Sequence, residues 1–257
     1  MKIKVAKFGG SSLSNAQQFR KVEQIILADK NRKYIIPSAP GKRSNNDSKI
    51  TDLLYLCHTQ DQHGVNFDNT FAIIVERYQD IVEGLGLSLD LTPYFKTIKI
   101  EMKNQSSVDY IASRGEYLNA IILSELLDYK FVDAKDIIKF NKNHTLDPEL
   151  TNKKIKEHLI IDKGAVIPGF YGALPNGKIK IFPRGGSDIT GALIAKGVNS
   201  KIYENWTDVP GLLMTDPRIV SDPKPIESIT YRELRELSYM GANVLHEETI
   251  FPVLDAG

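Results

Sequence analysis

The sequence predicts an α/β protein in which helices cover both faces of a mostly parallel sheet. Short segments rich in Val, Ile and Phe alternate along the chain with segments of helical periodicity. The first two strand segments are separated by one helical segment, as in a right-handed parallel crossover. Sheets of this kind bind ligands at the carboxyl ends of their strands. The polar residues that follow each predicted strand are therefore candidates for binding a ligand.

The first part of the chain begins with a strand, a loop and a helix. The strand alternates apolar and polar residues, and the helix places Phe19, Val22 and Ile26 on one face. A second strand ends in a polar loop that contains Pro40, and three helical segments then form a block at about 50–105, which we interpret as an inserted lobe. The predicted elements are strands at 3–8 and 33–38 and helices at 15–28, 50–58, 68–85 and 92–103.

The second part of the chain returns to alternating strands and helices. Each strand segment is rich in Val, Ile or Phe and is bounded by Gly, Pro or Asn. The predicted elements are strands at 130–134, 165–172, 178–183 and 201–208 and helices at 108–127, 189–196 and 231–245.

Composition excludes several classes of function. The 33 basic and 32 acidic residues leave no net charge for nucleic acid or an anionic membrane surface. Uncharged apolar runs are too short to cross a bilayer, and the single cysteine, Cys57, excludes an internal disulfide and suits the cytoplasm. His246 stands beside two glutamates, but no second histidine lies one helical turn away, so we predict no metal site built from side chains.

The loop after the first strand combines a lysine with glycines and serines. Lys7 is followed by Gly9, Gly10 and Ser11, with no acidic residue before Glu23. Glycines let backbone amides approach an anion, and a lysine adds a full positive charge, so this loop suits phosphate. A tight turn with serine caps is the alternative interpretation.

The segment KIKIFPRGGSD repeats this arrangement after a later strand. Arg184 presents a planar fork suited to a carboxylate or a phosphate. Asp188 can orient a lysine or accept a hydrogen bond from a substrate ammonium, or it can serve only as a favourable charge at the start of a helix. Two occurrences of one loop type favour a phosphate site over two unrelated turns.

Two further motifs leave their alternatives open. Thr207 and Asp208 follow a strand, and a second Thr-Asp pair precedes Arg218, so these residues suit either Asx turns or a nucleotide. Arg114 and Glu116 lie in a helical segment, where an ion pair on the helix surface is the simpler interpretation. We assign Trp206, next to Thr207, to packing.

Taken in order, KFGGSS, SAPGK with ITDLL, SRGE, PRGGSD, TDVPG with TDPR, and GANVLH resemble the aspartate kinases of the amino acid kinase family. The resemblance runs from Lys7 to about Leu254. It implies a three-layer αβα sandwich around a mainly parallel sheet, with ATP and L-aspartate bound at the carboxyl edge. It also implies transfer of the γ-phosphoryl of ATP to the β-carboxylate, giving 4-phospho-L-aspartate, the first step of lysine, threonine and methionine biosynthesis. Residues 1–257 would form the catalytic domain of a homo-oligomer.

The resemblance also implies roles for individual residues. Lys7 would neutralise the transferring phosphoryl, Asp188 would orient Lys7, and Mg²⁺ would be held mainly through the phosphates. Glu116 would bind the substrate ammonium and Arg184 its α-carboxylate. Residues implied on the substrate side are Ser38, Thr51, Glu116, Arg184 and Ser187. Residues implied on the nucleotide side are Lys7, Gly9, Gly10, Ser11, Thr207, Asp208, Arg218 and Asn243.

The sequence departs from the family pattern at several positions. Asn243 stands where many relatives have a lysine, and Leu213 stands where some have a tyrosine. Paired ACT modules that bind lysine or threonine normally follow such a domain, and none lies within these 257 residues. Two alternatives therefore stay open: a related kinase that phosphorylates glutamate or N-acetylglutamate, and a silent sensor of amino acids or nucleotides.

Overall fold

A computed structural model of the chain describes residues 3–104, 106–160, 162–183, 185–208, 211, 213–215 and 219–239. Within these residues, five parallel strands form a central sheet and two antiparallel strands form a small second sheet. The central strands are β1 (Lys4–Phe8), β2 (Arg32–Pro37), β3 (Lys130–Phe131), β4 (Ala165–Val166) and β7 (Ile202–Trp206), and the small sheet contains β5 (Tyr171–Ala173) and β6 (Ile179–Ile181). The spatial order of the central sheet is β3-β4-β2-β1-β7.

The helices lie on both sides of this sheet. A short 3-10 helix, Gly10–Leu13, follows β1. The α-helices are α1 (Ala16–Leu27), α2 (Ile50–Gln62), α3 (Asp68–Gly84), α4 (Thr92–Lys103), α5 (Val108–Leu127), α6 (Ala134–Ile137), α7 (Pro148–His158), α8 (Gly186–Gly197) and α9 (Tyr231–Tyr239). No helix in the described part of the chain combines the length and apolarity needed to cross a membrane.

Two hydrophobic cores separate the three layers. Successive residues of a strand point to opposite faces, so Ala6 and Phe8 of β1 contribute to one core and Val5 to the other. The first core contains residues of α1 to α5, and the second contains residues of α7, α8 and the β5–β6 hairpin. The predicted α/β class and the three-layer sandwich are confirmed.

Most predicted elements are present with similar bounds, and helices α4 and α5 have the predicted ends. The single strand predicted at 165–172 is wrong, because Ala165–Val166 belongs to the central sheet whereas Tyr171–Ala173 pairs with Ile179–Ile181. Phe170, with φ of 81°, lies immediately before the hairpin. Only Lys130 and Phe131 of the segment predicted at 130–134 belong to a strand, since Asp133 already caps α6.

Helix α7 was not predicted from the sequence. The Asp147 side chain accepts a hydrogen bond from the Leu150 amide, and Pro148 occupies the first turn. An aspartate followed by a proline is a typical helix start, so the pattern was available. At the other end, the described part of α9 ends at Tyr239, and the predicted continuation to Leu245 lies outside the described residues.

Candidate active site

The candidate site lies at the carboxyl end of β1, between β2 and β7. Phe8, the last residue of β1, is paired with Pro37 on one side and with Trp206 on the other. The loops that follow these strands therefore meet around one cavity of about 510 Å³. Its lining is Gly9, Gly10, Ser11, Ser38, Ala39, Pro40, Gly41, Lys42, Lys49, Thr51, Glu116, Thr207 and Asp208.

The first loop presents its backbone to this cavity. The 3-10 helix starts at Gly10 and has no side-chain cap at its first turn, so the amides of Gly10 and Ser11 are placed as donors for an anion. The amide of Gly9 instead donates to the Trp206 carbonyl oxygen at 3.1 Å. The Gly9 amide is therefore not free to donate to a phosphate oxygen, as was expected for the amides of this loop, although Gly9 itself lines the cavity.

Two glycines allow the first loop to lie directly against the loop after β2. A Cβ on Gly10 would lie 2.7 Å from the Ala39 carbonyl oxygen, and one on Gly41 would lie 2.7 Å from the Gly10 carbonyl carbon. The Gly41 amide donates to the Gly10 carbonyl oxygen at 2.8 Å. Because any side chain would separate the two backbones, the shape of the cavity depends on glycine at both positions.

Lys7 and Asp188 form an ion pair beside this loop. Lys7 Nζ lies 2.7 Å from Asp188 Oδ1, and the two side chains are 10% and 18% exposed. Asp188 is in the first turn of α8, which begins after Gly185 in a left-handed conformation with φ of 57°. The two interpretations of Asp188 are therefore compatible, since it lies at a helix start and also orients a lysine. Two glycine-containing loops from distant parts of the chain meet here.

Glu116 brings a buried carboxylate to the cavity. It is 6% exposed, and its Oε2 has no hydrogen-bond partner among the described residues. Burial raises the pKa of Glu116 from its usual 4.5 to about 8, although the Ala39 amide favours the ionised form. In the absence of a cation, the carboxyl group is therefore mostly protonated at neutral pH.

The surface ion pair considered for Arg114 and Glu116 is wrong, because both residues are buried. The Arg114 guanidinium lies over the rings of Tyr110 and Tyr117, 4.5 and 4.4 Å from their centroids. It also donates to the Ser113 hydroxyl. This arginine is stabilised by aromatic rings, and no hydrogen bond joins it to Oε2 of Glu116, which has no partner among the described residues.

Asn119 holds the loop after β2 in place and was not predicted as a site residue. Its Nδ2 donates to the Ser38 carbonyl oxygen at 2.7 Å, and the Ser38 amide donates to the Phe8 carbonyl oxygen at 3.0 Å. Asn119 follows Glu116 by three residues, which places both on one face of α5. That spacing within SRGEYLNA was the available indication.

The model of the amino acid kinase family matches residues 2–257. The chain belongs to the amino acid kinase family. Aspartokinase 3 of Bacillus subtilis is 35% identical over 99% of this chain, which spans 59% of that protein. The solved aspartate kinase of Clostridium acetobutylicum superposes with a TM-score of 0.95 and is 56% identical over 99% of this chain and 58% of its own. E. coli aspartokinase III, solved with aspartate and ADP, superposes with a TM-score of 0.84. It is 25% identical, over 99% of this chain and 60% of its own.

In this member of the amino acid kinase family, the remaining predicted residues lie at different distances from the cavity. Ser38 and Thr51 line it, and Thr207 donates to Asp208 Oδ1 at 3.1 Å at its exposed edge. Ser187 is buried in the first turn of α8, beside Asp188. Arg184, Arg218 and Asn243 lie outside the described residues.

Two lysines of the cavity were missed by the sequence interpretation. Lys42 and Lys49 both line it, so the loop after β2 adds positive charge opposite the first glycine loop. Lys42 lies within the SAPGK motif, which was the available indication. Trp206 stacks on Phe8 with ring centroids 6.0 Å apart, which confirms its assignment to packing.

Proposed function

We propose that the chain is the catalytic domain of an aspartate kinase, which transfers the γ-phosphoryl of ATP to the β-carboxylate of L-aspartate and yields 4-phospho-L-aspartate. The observation that carries this proposal is one cavity that is lined by a glycine loop and by a buried carboxylate. The Lys7–Asp188 ion pair lies beside that loop, with Lys7 Nζ 3.8 Å from the position of a Cβ on Gly9, and Oε2 of Glu116 has no partner in the described residues. The aspartokinase names of the relatives support the same activity.

Glu116 and the hydroxyl-bearing residues of the cavity suit the acceptor. An amino acid with an ammonium group would supply the missing partner of Oε2 and would favour the ionised form of Glu116. Ser38 and Thr51 line the same cavity and offer hydroxyl groups for the reacting carboxylate. Arg184 follows from the family resemblance as the group that binds the α-carboxylate, and this role is part of the proposal.

Lys7 and the first glycine loop suit a phosphoryl group in transfer. The acceptor carboxylate is already ionised at neutral pH, so the chain needs no general base, and catalysis consists of positioning and charge neutralisation. Lys7 supplies a positive charge that Asp188 holds in place at 2.7 Å. The amides of Gly10 and Ser11 would donate to phosphate oxygens. Removal of one such donor typically costs about 3 kcal/mol of transition-state stabilisation.

The residues present fit a nucleotide whose metal is bound mainly by phosphate. A side chain on Gly10 would collide with the Ala39 carbonyl oxygen and displace the glycine loop that lines the cavity. Among the described residues, no group of three or more His, Cys, Asp and Glu side chains is arranged to hold a metal. Mg²⁺ supplies charge neutralisation when bound with ATP, and Asp208 is the carboxylate at the cavity edge with which it could be shared.

The test is an acceptor panel with two readouts. ADP release and hydroxylamine trapping of an acyl phosphate are measured with aspartate, glutamate and N-acetylglutamate in the presence of Mg·ATP. We expect both products with aspartate only. Formation of both products with another acceptor and not with aspartate would refute aspartate as the substrate. If neither product forms with any acceptor, the chain would be a sensor rather than a kinase. When the same assay is applied to Lys7→Ala, the matched control is Lys21→Ala, which removes a lysine from the exposed side of α1.

Four further statements remain predictions. We propose that residues 1–257 form one catalytic domain and that the helical block at about 50–105 is an insertion within it. A homo-oligomer in the cytoplasm is expected from the family resemblance and the single cysteine. Sedimentation of the purified chain would test the oligomer directly.

A further inference from the structure

Arg77 is a buried charge that the proposed reaction does not use. It belongs to α3 in the helical block, and its side chain is 1% exposed. Its guanidinium donates to the Gly41 carbonyl oxygen at 3.1 Å, to Asp47 Oδ1 at 2.6 Å and to the Ser48 carbonyl oxygen at 3.4 Å. All three acceptors belong to the loop between β2 and α2, at 38–49.

These contacts act on the part of the loop that shapes the cavity. The Gly41 amide bonds to Gly10, and its carbonyl oxygen bonds to Arg77. Gly41 is therefore held from two sides, by the first glycine loop and by α3. A shift of Gly41 would change the spacing between the backbone of Gly10 and the residues that follow Gly41, including Lys42.

Stability alone does not account for a buried arginine in this place. A buried ion pair pays a desolvation cost, and apolar residues of similar volume often stabilise a protein equally well or better. What the guanidinium offers is geometry, because its planar fork can bind several acceptors in fixed directions. Here the acceptors are two backbone carbonyl oxygens and one carboxylate of a single loop.

We propose that Arg77 is a positioning residue, which fixes the loop at 38–49 against the first glycine loop and so aligns the acceptor with the transferring phosphoryl group. The proposal rests on the proposed function for its catalytic part. Its structural part, the connection of Arg77 to the Gly10–Gly41 contact, stands independently. Arg77 does not line the cavity, so its effect on the reaction passes through Gly41.

The main variant is Arg77→Lys, and Arg43→Met is its matched control. Lysine keeps the positive charge near Asp47 but cannot reproduce the planar fork. Arg43 also donates to Asp47, at 3.1 Å, and is largely exposed, so the control removes another arginine from Asp47 and leaves the Gly41 bond intact. Asp47→Asn is a second variant, which weakens the anchor of Arg77 and serves if Arg77→Lys does not fold.

Two measurements separate a local change at the loop from loss of folded protein. The first is amide hydrogen exchange at Gly41 relative to the exchange of core strand amides in the same chain, which we expect to be about tenfold faster in Arg77→Lys than in wild type or Arg43→Met. The second is the ratio of trapped acyl phosphate to ADP. A misaligned acceptor lets water take the phosphoryl group, so we expect this ratio to fall at least severalfold, with kcat lower by about 10- to 100-fold.

The outcomes separate this proposal from the proposed function. Unchanged exchange at Gly41 overturns the role of Arg77 whatever the activity is. Faster exchange with an unchanged product ratio and an unchanged KM for aspartate overturns the positioning role and leaves a structural one. A wild-type chain that phosphorylates no acceptor refutes the proposed function, and with it the catalytic part of the role, while the exchange at Gly41 still decides the structural part.

Discussion

The change Glu116→Gln should stabilise the ligand-free protein at alkaline pH while it weakens aspartate binding. Glu116 is protonated in both the folded and the unfolded state well below its usual pKa of 4.5. Between pH 4.5 and about 8, the folded state keeps a proton that the unfolded state has released, so the stability contributed by this group is lost as pH rises. Above about 8, the folded protein carries the full cost of a buried carboxylate.

The size of the effect follows from the two pKa values. One unit of pKa difference corresponds to about 1.4 kcal/mol, and the pKa rises from 4.5 to about 8, so the cost amounts to a few kcal/mol at pH 8.5. At pH 5 it is below about 1 kcal/mol. Glutamine removes this pH-dependent cost and adds a pH-independent one for its own unpaired amide, about 1 to 2 kcal/mol. The cost of the unpaired amide is the same at pH 5 and at pH 8.5, so it cancels when the effect of the substitution at one pH is subtracted from its effect at the other.

Thermal unfolding at pH 5 and pH 8.5 measures that difference. One kcal/mol corresponds to about 2 to 4 °C for a chain of this size. The cost differs by about 4 kcal/mol between the two pH values, so the Tm of Glu116→Gln relative to wild type should rise by about 8 to 15 °C between pH 5 and pH 8.5. Glu125→Gln, on an exposed position of the same helix, is the control and should show no such rise. Equal Tm differences at both pH values would refute the account of Glu116 as a buried, unpaired acid.

Three further predictions concern turnover and the first loop. The KM for aspartate should fall about tenfold per pH unit between pH 6 and about 8 and then level off, because only ionised Glu116 attracts the substrate ammonium. A KM that does not change with pH would contradict this. Lys7→Ala should lower kcat by about 10²- to 10³-fold in the coupled ADP assay, and unchanged constants would remove Lys7 from the site. Gly10→Ala should lower Tm and nucleotide affinity far more than Gly9→Ala. The Cβ on Gly10 would lie 2.7 Å from the Ala39 carbonyl oxygen, whereas the Cβ on Gly9 would lie 3.6 Å from the Trp206 carbonyl oxygen. Equal effects of the two variants would contradict the close approach of the loops.

The sequence predicted the parts of the fold that depend on local pattern. Strand alternation and helical periodicity are properties of neighbouring residues, and they located β1, β2 and the helices α3, α4 and α5 within one or two residues. The prediction of one strand at 165–172 failed because the segment has a uniform apolar composition, although its two halves belong to two different sheets. Which strand a segment pairs with depends on distant partners, and no local pattern contains that information.

The candidate site shows the same division. Lys7 and Asp188 were predicted as a pair from two similar loops and the family resemblance, and the structure confirms that they lie together. Glu116 was predicted, but its burial was not, because the simpler interpretation of a charged residue in a helix is a solvated face. Arg77 was absent from the prediction altogether, since an arginine in the middle of an amphipathic helix gives no indication that it is covered by a loop 30 residues earlier.

The position of the site follows from the order of the strands. From β1 the chain crosses to β2 on one side and, much later, reaches β7 on the other, so the order of the strands reverses at β1. At such a point the loops after adjacent strands separate and leave a crevice. The residues after β1, β2 and β7 must then face one another, whatever side chains they carry. A glycine loop is useful here because it lets the backbones of Gly10 and Gly41 touch, so that the loops after β1 and β2 line this crevice together.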